Sequence, residues 1–401
     1  MPGAGDGAAP DGALPAAALA GLSERPFGVY VHVPFCATRC GYCDFNTYTP
    51  GELDSASSPS AWLDALRREL DLAATVLGEP VAVETVFVGG GTPSLLGAGG
   101  LGAVLDAVRG SLEVAPGAEV STEANPESTS PEFFAGIAAA GYTRVSLGMQ
   151  SAAPHVLAVL DRTHTPGRAV AAAVEALRAG IEHINLDLIY GTPGETRDDL
   201  AASLDTVLAA GVDHVSAYAL VVESGTALAR RVGRGELPAP DDDVLAERYE
   251  QLDAALSAAG LHWYEVSNWA ASAAARCRHN LGYWAGGNWW GAGPGAHSHV
   301  GGVRWWNVKH PARYAAALAQ GLSPAAGREV LGPVQRHTER VMLGLRLAEG
   351  LPSSALDPAG RAAADRAVTD GLLTATPPGR LVLTRRGRLL TDAVVRNLLV
   401  S

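Results

Sequence analysis

The pattern of apolar and polar positions changes period repeatedly between residues 28 and 220. Short runs rich in β-branched residues alternate with longer segments that carry apolar residues at helical spacing. This alternation is typical of a parallel sheet built from βα units. The predicted strands are 28–33, 84–88, 119–123, 143–149, 183–189 and 214–220. The predicted helices are 61–76, 94–108, 131–140, 167–179 and 197–209. Six units are fewer than the eight of a closed barrel, so the pattern predicts an α/β fold with a partial (βα)6 barrel.

The regions outside this repeat have other patterns. Residues 1–25 are predicted to form a disordered N-terminal tail. Its first 20 residues are rich in Ala, Gly and Pro and lack the Lys or Arg of a secretory signal. Residues 26–232 are assigned to the barrel. Residues 233–310 form an aromatic-rich extension, because seven of the eight tryptophans lie between Trp263 and Trp306. Residues 311–401 are predicted to be a helical C-terminal domain with helices at 334–347, 361–371 and 388–399 and a short strand at 381–384.

Three cysteines follow the first predicted strand with the spacing CxxxCxxC. Cys36, Cys40 and Cys43 could hold three irons of a [4Fe-4S] cluster, and the fourth iron would stay open for a small molecule. A structural zinc site with His32 as fourth ligand is the alternative. A disulfide framework fits poorly with four cysteines in 401 residues.

Further polar residues follow or close the other predicted strands. They are the segment Gly89–Ser94, Glu123, Gln150 and Asp187. In βα barrels ligands bind at the carboxyl ends of the strands, so the sequence predicts one shared binding mouth. Each of these features also has a purely structural alternative. The glycine segment could be a tight turn before a capped helix, and the three polar side chains could pair with neighbouring loops.

Composition narrows the function classes. The net charge of -12 argues against nucleic acid as the main partner, because phosphate binding needs a basic face. No run approaches the ~20 apolar residues of a membrane span. Lys309 is the only lysine, so there is no P-loop lysine and a Schiff-base enzyme is disfavoured. A cytoplasmic protein, in which thiols stay reduced and can bind iron, is expected.

Several motifs together resemble those of the radical S-adenosylmethionine (SAM) superfamily. Within it, the chain is similar to the branch that holds the oxygen-independent coproporphyrinogen III oxidases and the HemW-type haem chaperones. The resemblance covers nearly the whole chain from Gly28. The segments that carry it are YVHVPFCATRCGYCDFN, VFVGGGTPS, STEANP, RVSLGMQS, LDRTH, NLDLIYGTPGE, CRHNLGYW and GPGAHS.

The resemblance implies roles for individual residues. Cys36, Cys40 and Cys43 would ligate the cluster, and its unique iron would bind the amino and carboxylate groups of SAM. The residues implied to line or bind the cluster and SAM are Tyr30, Tyr42, Gly90, Gly91, Thr92, Glu123, Gln150, Arg162, Asp187 and, through its backbone, Val221. It also implies that the C-terminal domain is winged-helix-like.

One position separates the two branches of this family. The oxidases resemble CxxxCxxCxC, but here Phe45 occupies the place of the additional cysteine, and only a low-complexity tail precedes the barrel. Both features favour the chaperone. The alternative is an oxidase that reduces SAM to a 5'-deoxyadenosyl radical and decarboxylates the propionates of coproporphyrinogen III, so whether the chain is an enzyme stays open.

The tryptophan-rich extension contains the segment CRHNLGYW. This segment resembles the HNxxYW signature, which is associated with haem binding in HemW-type proteins. The resemblance implies haem contacts by His279, Asn280, Tyr283 and Trp284. His279 would supply an axial nitrogen, with Cys277 as the alternative ligand, and Arg276, Arg278 and Arg304 would pair with propionates. A packing layer of tryptophans is the structural alternative. The implied partners are haem and acceptor haem proteins, including membrane-bound ones, and a homodimer is left open.

Overall fold

The computed structural model describes residues 7–22, 25–53, 57–376 and 379–399. The short helix α1 (Ala16–Leu19) precedes the βα repeat. The strands of the repeat are β1 (Phe27–Val33), β2 (Val83–Gly90), β3 (Val114–Ala124), β4 (Arg144–Gln150), β5 (His183–Tyr190) and β6 (His214–Ala219). Its helices are α2 (Pro59–Leu77), α3 (Gly97–Ser111), α4 (Pro131–Ala140), α5 (Pro154–Val159), α6 (Arg168–Arg178) and α7 (Arg197–Ala209). The predicted strands and helices of the repeat are therefore confirmed, with small changes at their ends.

The six strands of the repeat lie side by side in chain order, and each pairs in parallel with the next. Their period-two alternation separates two surfaces. In β1, Val29, Val31 and Val33 belong to the main hydrophobic core, whereas Tyr30 lines a central cavity. Because successive side chains point to opposite faces of a strand, the same sequence supplies a packed outer layer and a polar interior.

Local signals explain why the helices of the repeat begin and end where they do. The Ser130 hydroxyl accepts from Phe133 N–H at 3.2 Å at the start of α4, and Gly141 ends that helix with a φ of 105°. Thr196 and Asp199 form a capping box at the start of α7. Each cap satisfies a backbone N–H that has no partner within its helix.

The chain then adds elements to both edges of the parallel sheet. They are α8 (Ala227–Gly233), α9 (Asp242–Ala258), β7 (His262–Glu265), β8 (Asn268–Ala270), α10 (Arg278–Trp284), β9 (Asn288–Ala292), β10 (His297–Val300), β11 (Val303–Asn307), α11 (Pro311–Ala319) and β12 (Ala325–Val330). The sheet order is β12-β11-β10-β9-β1-β2-β3-β4-β5-β6-β8-β7. Strand β9 pairs in parallel with β1, and β8 pairs antiparallel with β6. The described strands form no closed barrel, and the predicted extension is part of the main sheet.

The C-terminal elements have a hydrophobic core of their own. They are α12 (Pro333–Gly344), β13 (Leu351–Pro352), α13 (Pro358–Thr369), β14 (Leu373–Thr376), β15 (Arg380–Leu383), α14 (Arg385–Leu389) and α15 (Thr391–Leu399). The three strands form an antiparallel sheet in the order β13-β15-β14. The single helix predicted at 388–399 is wrong, because Leu390, with a φ of -114° and a ψ of 21°, interrupts it. Among the described residues, no helix has the length and apolar character needed to cross a membrane.

Residues 7–22, which the sequence analysis places in a disordered tail, lie against the folded chain. Ala18 and Leu22 belong to the main hydrophobic core. The backbone carbonyl of Pro10 accepts from Ser323 N–H at 2.7 Å, and that of Ala13 accepts from Arg328 Nη1 at 3.2 Å. The low complexity of this segment concealed the two apolar side chains that anchor it.

Candidate functional site

The central cavity has a volume of about 950 Å³ and opens at the carboxyl ends of the parallel strands. All three cysteines of the first loop line it and are half-buried. The loop returns to β1 through paired backbone bonds, from Cys36 N–H to Tyr48 O at 2.9 Å and from Tyr48 N–H to Pro34 O at 2.7 Å. These bonds hold the thiols at the mouth of the cavity.

Two hydrogen-bond donors point at the sulfur atoms. Thr92 Oγ1 donates to Cys36 Sγ at 3.6 Å, and Arg162 Nη1 donates to Cys40 Sγ at 3.4 Å. Burial raises the pKa of the Cys43 thiol to about 11, so a metal must displace its proton. Donors aimed at sulfur stabilise thiolates and their metal complexes, and the donor set therefore fits an iron–sulfur cluster.

The geometry does not fit the zinc alternative. His32 Nε2 shares a hydrogen bond with Asn46 O at 2.9 Å, and His32 Nδ1 shares one with the Tyr30 hydroxyl at 3.0 Å. Across the residues that the structure describes, no three His, Cys, Asp or Glu side chains converge as ligands of one ion do. A cluster differs because each thiolate binds a separate iron.

The glycine triplet after β2 is joined to the cysteine loop by its backbone. Gly91 N–H donates to Val33 O and Thr92 N–H donates to Phe35 O, both at 2.7 Å. Gly90 has a φ of 111° and donates to Glu123 Oε2 at 3.0 Å. Only glycine adopts this conformation without strain. The turn thus brings backbone groups to the wall of the cavity beside the cysteines.

Gln150 and Arg162 line the cavity where β4 ends, and both side chains lie close to Gly148. Gln150 closes β4 with a φ of 67°, which is unusual for a residue with a Cβ. Such backbone strain is concentrated at functional sites in proteins. Arg162 Nη2 donates to Gly148 O at 2.9 Å, which fixes the guanidinium beside the cysteine loop.

Two carboxyl groups lie inside the cavity. Burial, with the negative charge of Asp187, raises the pKa of Glu123 to about 8. Burial also raises the pKa of Asp187 to about 6, although Ser146 Oγ and Asn185 Nδ2 donate to it at 3.0 and 2.7 Å. Two such acceptors inside one cavity are suited to an ammonium group and a ribose diol.

The remaining SAM positions predicted from the sequence also line this cavity. They are Tyr30, Tyr42 and Val221. The sequence analysis missed a polar wall deeper inside, formed by side chains of β4, β5 and β6. Its members are Ser146, Asn185, His214 and Ser216. Their alternation with apolar core residues along each strand was the signal that could have found them.

Helix α10, which carries the predicted haem motif, forms the floor of the cavity. His279 is 3% exposed and lies between the beginnings of β1 and β2. Its Nδ1 shares a hydrogen bond with Thr85 Oγ1, and its Nε2 shares one with the Tyr283 hydroxyl, both at 2.8 Å. Burial lowers the pKa of His279 to about 4, so the ring is neutral. Axial ligation of a haem iron by His279 would therefore require one of these two hydrogen bonds to break.

The other residues of the motif also have partners within the protein. Asn280 and Trp284 lie near the buried Glu265 and partly offset the burial that raises its pKa to about 8. The ring of Tyr283 packs edge-on against Trp289 with 4.5 Å between centroids. Cys277 Sγ donates to Glu119 Oε1 at 3.5 Å. The motif thus locks α10 to strands on both sides of the open barrel.

The arginines predicted to bind propionates are all paired with carboxylates. Arg276 contacts Glu349, Arg278 contacts Glu84 at 3.5 Å, and Arg304 contacts both Glu329 and Glu339. None of the three lines the central cavity.

Comparisons with known proteins agree with this architecture. The family model described as the Radical SAM superfamily matches residues 30–207. The chain is 66% identical to Heme chaperone HemW of Mycobacterium tuberculosis (strain ATCC 25618 / H37Rv) over 95% of this chain and 97% of that protein. It is 33% identical to Heme chaperone HemW of Bacillus subtilis (strain 168) over 80% of this chain and 84% of that protein. The chain belongs to the HemW family of the radical SAM superfamily.

A solved structure shows the same fold as this HemW-family chain. Coproporphyrinogen III oxidase (HemN) from Escherichia coli matches with a TM-score of 0.79 and 22% identity, covering 95% of this chain and 91% of that chain. The predicted superfamily and branch are confirmed, and membership implies a [4Fe-4S] cluster and SAM as cofactors.

Proposed function

We propose that this chain is a haem chaperone that carries a [4Fe-4S] cluster and SAM, binds haem and transfers it to acceptor haem proteins. The observation that carries the proposal is the 66% identity to the M. tuberculosis protein named Heme chaperone HemW, over 95% of this chain. The resemblance in fold to the oxidase supports the architecture alone. Phe45 is exposed on the cysteine loop and stands where the oxidase motif CxxxCxxCxC has its fourth cysteine. This difference favours the chaperone over the oxidase.

In this proposal the cluster is held by Cys36, Cys40 and Cys43, and Thr92 and Arg162 donate to its sulfur ligands. When bound, the cluster supplies an open iron site and one-electron chemistry. Glu123, Gln150 and Asp187 hold the polar groups of SAM, and the backbone of Gly90, Gly91 and Val221 lies against the cofactor. Tyr30 and Tyr42 exclude water from the site, because both rings line the cavity.

We place the protein in the cytoplasm, where reduced thiols can assemble a cluster. Its acceptors are apo-haem proteins, membrane-bound ones among them. A homodimer would carry two clusters. Gel filtration of the reconstituted protein measures the oligomeric state.

The test uses anaerobically reconstituted protein with iron and sulfide quantified. We expect haem binding in a Soret titration and transfer of that haem to an apo-haem protein faster than its spontaneous release. A matched protein with Cys36, Cys40 and Cys43 changed to serine should lose iron and sulfide. Absence of haem binding contradicts the proposal. Conversion of coproporphyrinogen III to protoporphyrinogen IX, with SAM and a reductant, would instead establish the oxidase.

A further inference from the structure

Three large apolar side chains are exposed around the open end of the cavity. Phe45 is 60% exposed, Leu95 is 41% exposed and Val221 is 59% exposed. They belong to the loops after β1, β2 and β6, and all three line the same cavity. We call these residues the apolar rim. Exposed apolar groups that collect around one opening mark a binding surface, whereas single exposed apolar residues need no explanation.

A cationic side chain lies beside the apolar rim. Arg39 lines the same cavity, and its side chain is 45% exposed. It pairs with Glu52 at 3.1 Å, and the Glu52 side chain is 42% exposed. Ion pairs between such exposed groups are weak, so a ligand carboxylate can compete with Glu52 for the guanidinium, which also donates to the Thr47 carbonyl. The mouth therefore combines an apolar surface with an exchangeable guanidinium, which suits the flat ring and the carboxylate of a porphyrin.

The floor of the cavity has the opposite character. Both ring nitrogens of His279 have protein partners, and its backbone N–H donates to Glu119 Oε1 at 3.1 Å. A ligand at α10 would have to break these bonds before it gained its own. A ligand at the apolar rim covers surface that is already exposed.

We propose that haem binds across the mouth of the cavity, with its ring on Phe45, Leu95 and Val221 and one propionate at Arg39. This inference rests on the proposed haem-binding function and specifies its location. It gives α10 a structural role as the floor of the site. Haem at this position would also cover the entrance to the cluster and SAM.

The experiment is a haem titration of the cluster-loaded protein and four variants. Leu95→Asp and Phe45→Asp each place a charge under the apolar ring, and we expect each to weaken haem affinity at least about tenfold. Val334→Asp is the matched control, because Val334 is 76% exposed on α12 and belongs to the C-terminal domain. We expect it to bind haem as the unchanged protein does. Iron, sulfide and SAM binding, measured on the same samples, verify that Leu95→Asp leaves the cofactor site intact.

His279→Ala is the fourth variant and separates the two locations. The proposal expects its haem affinity to stay within about threefold of the unchanged protein once its folding is verified by circular dichroism. Loss of haem binding in a folded His279→Ala protein, with full binding by both rim variants, would overturn it. If the unchanged protein binds no haem, the proposed function itself fails, and the two failures are thereby distinguished.

Discussion

Single side chains in this protein act largely through the acceptors and donors they present to the cavity. Asp187 accepts from Ser146 and Asn185, which keep its carboxylate in place on β5. The Thr92 hydroxyl donates to Cys36 Sγ at 3.6 Å. Both residues were predicted from motifs, but Ser146 on β4 and Cys36 in the loop after β1, which contact them, are far away in the sequence.

The first prediction concerns the ribose acceptor. Asp187→Asn keeps the size of the side chain but removes its charge, and hydrogen bonds to charged groups contribute about 1.5–3 kcal/mol. We expect SAM affinity to fall roughly tenfold or more, measured by calorimetry on the cluster-loaded protein. Asp205→Asn, on the exposed face of α7, is the control and should bind SAM normally. Equal affinities for both variants would remove Asp187 from the SAM site.

The second prediction concerns the donor to the cluster ligand. Thr92→Val keeps the shape of the side chain and deletes the hydroxyl that reaches Cys36 Sγ. Hydrogen bonds to cluster sulfurs stabilise the reduced, more negative state. We therefore expect the cluster to assemble with a lower reduction potential, measured by a redox titration followed by electron paramagnetic resonance. A potential unchanged from that of the parent protein contradicts this role for Thr92.

At the scale of elements, α10 is the helix that forms the floor of the cavity, with His279 against the beginnings of β1 and β2. Its first turn is fixed by Glu119 on β3, which accepts from the backbone N–H groups of Arg278 and His279, both at 3.1 Å. Glu119 also pairs with Arg144 at 3.1 Å, and both side chains are almost fully buried. A carboxylate at the beginning of a helix satisfies N–H groups that lack partners within it.

The third prediction concerns this buried ion pair. Glu119→Ala leaves Arg144 buried without its charge partner and frees the first turn of α10, so we expect a loss of about 3–5 kcal/mol in the free energy of unfolding. Glu84 pairs with Arg278 at 3.5 Å, and both side chains are close to half exposed. Glu84→Ala should therefore cost less than about 1 kcal/mol. Urea denaturation of the two variants makes the comparison, and similar losses would refute the assigned role of Glu119.

At the scale of the whole molecule, one buried carboxyl joins the βα repeat to the segment after β8. Glu69 on α2 is fully buried and accepts from Gly293 N–H and Asn307 Nδ2, both at 2.7 Å, and from the Tyr314 hydroxyl. Burial raises the pKa of Glu69 to about 7 despite these donors. The folded state therefore binds this proton more tightly than the unfolded state does.

The fourth prediction follows from that difference. Protonated Glu69 contributes to the free energy of unfolding. This contribution is fully present below the pKa of Glu69 in the unfolded chain, near 4.5, and is lost as the pH rises towards its pKa in the folded protein, about 7. The loss amounts to roughly 3 kcal/mol at most. Glu69→Gln cannot ionise, so its free energy of unfolding should fall less between pH 5 and pH 8 than that of the parent protein. Parallel pH dependences in denaturant titrations would exclude Glu69 as the source.

The sequence alone determined the βα repeat, the three cysteines at the end of β1 and the polar residues at the ends of the later strands. These features depend on local periodicity and on short motifs, and both can be recognised from neighbouring residues in the sequence. Three features were decided only by the tertiary structure. The tryptophan-rich segment adds strands to both edges of the main sheet, residues 7–22 pack on the core, and His279 lies buried in the floor of the cavity. Such outcomes depend on contacts between residues far apart in the chain, such as Thr85 with His279 and Glu69 with Tyr314, and no local pattern encodes those pairings.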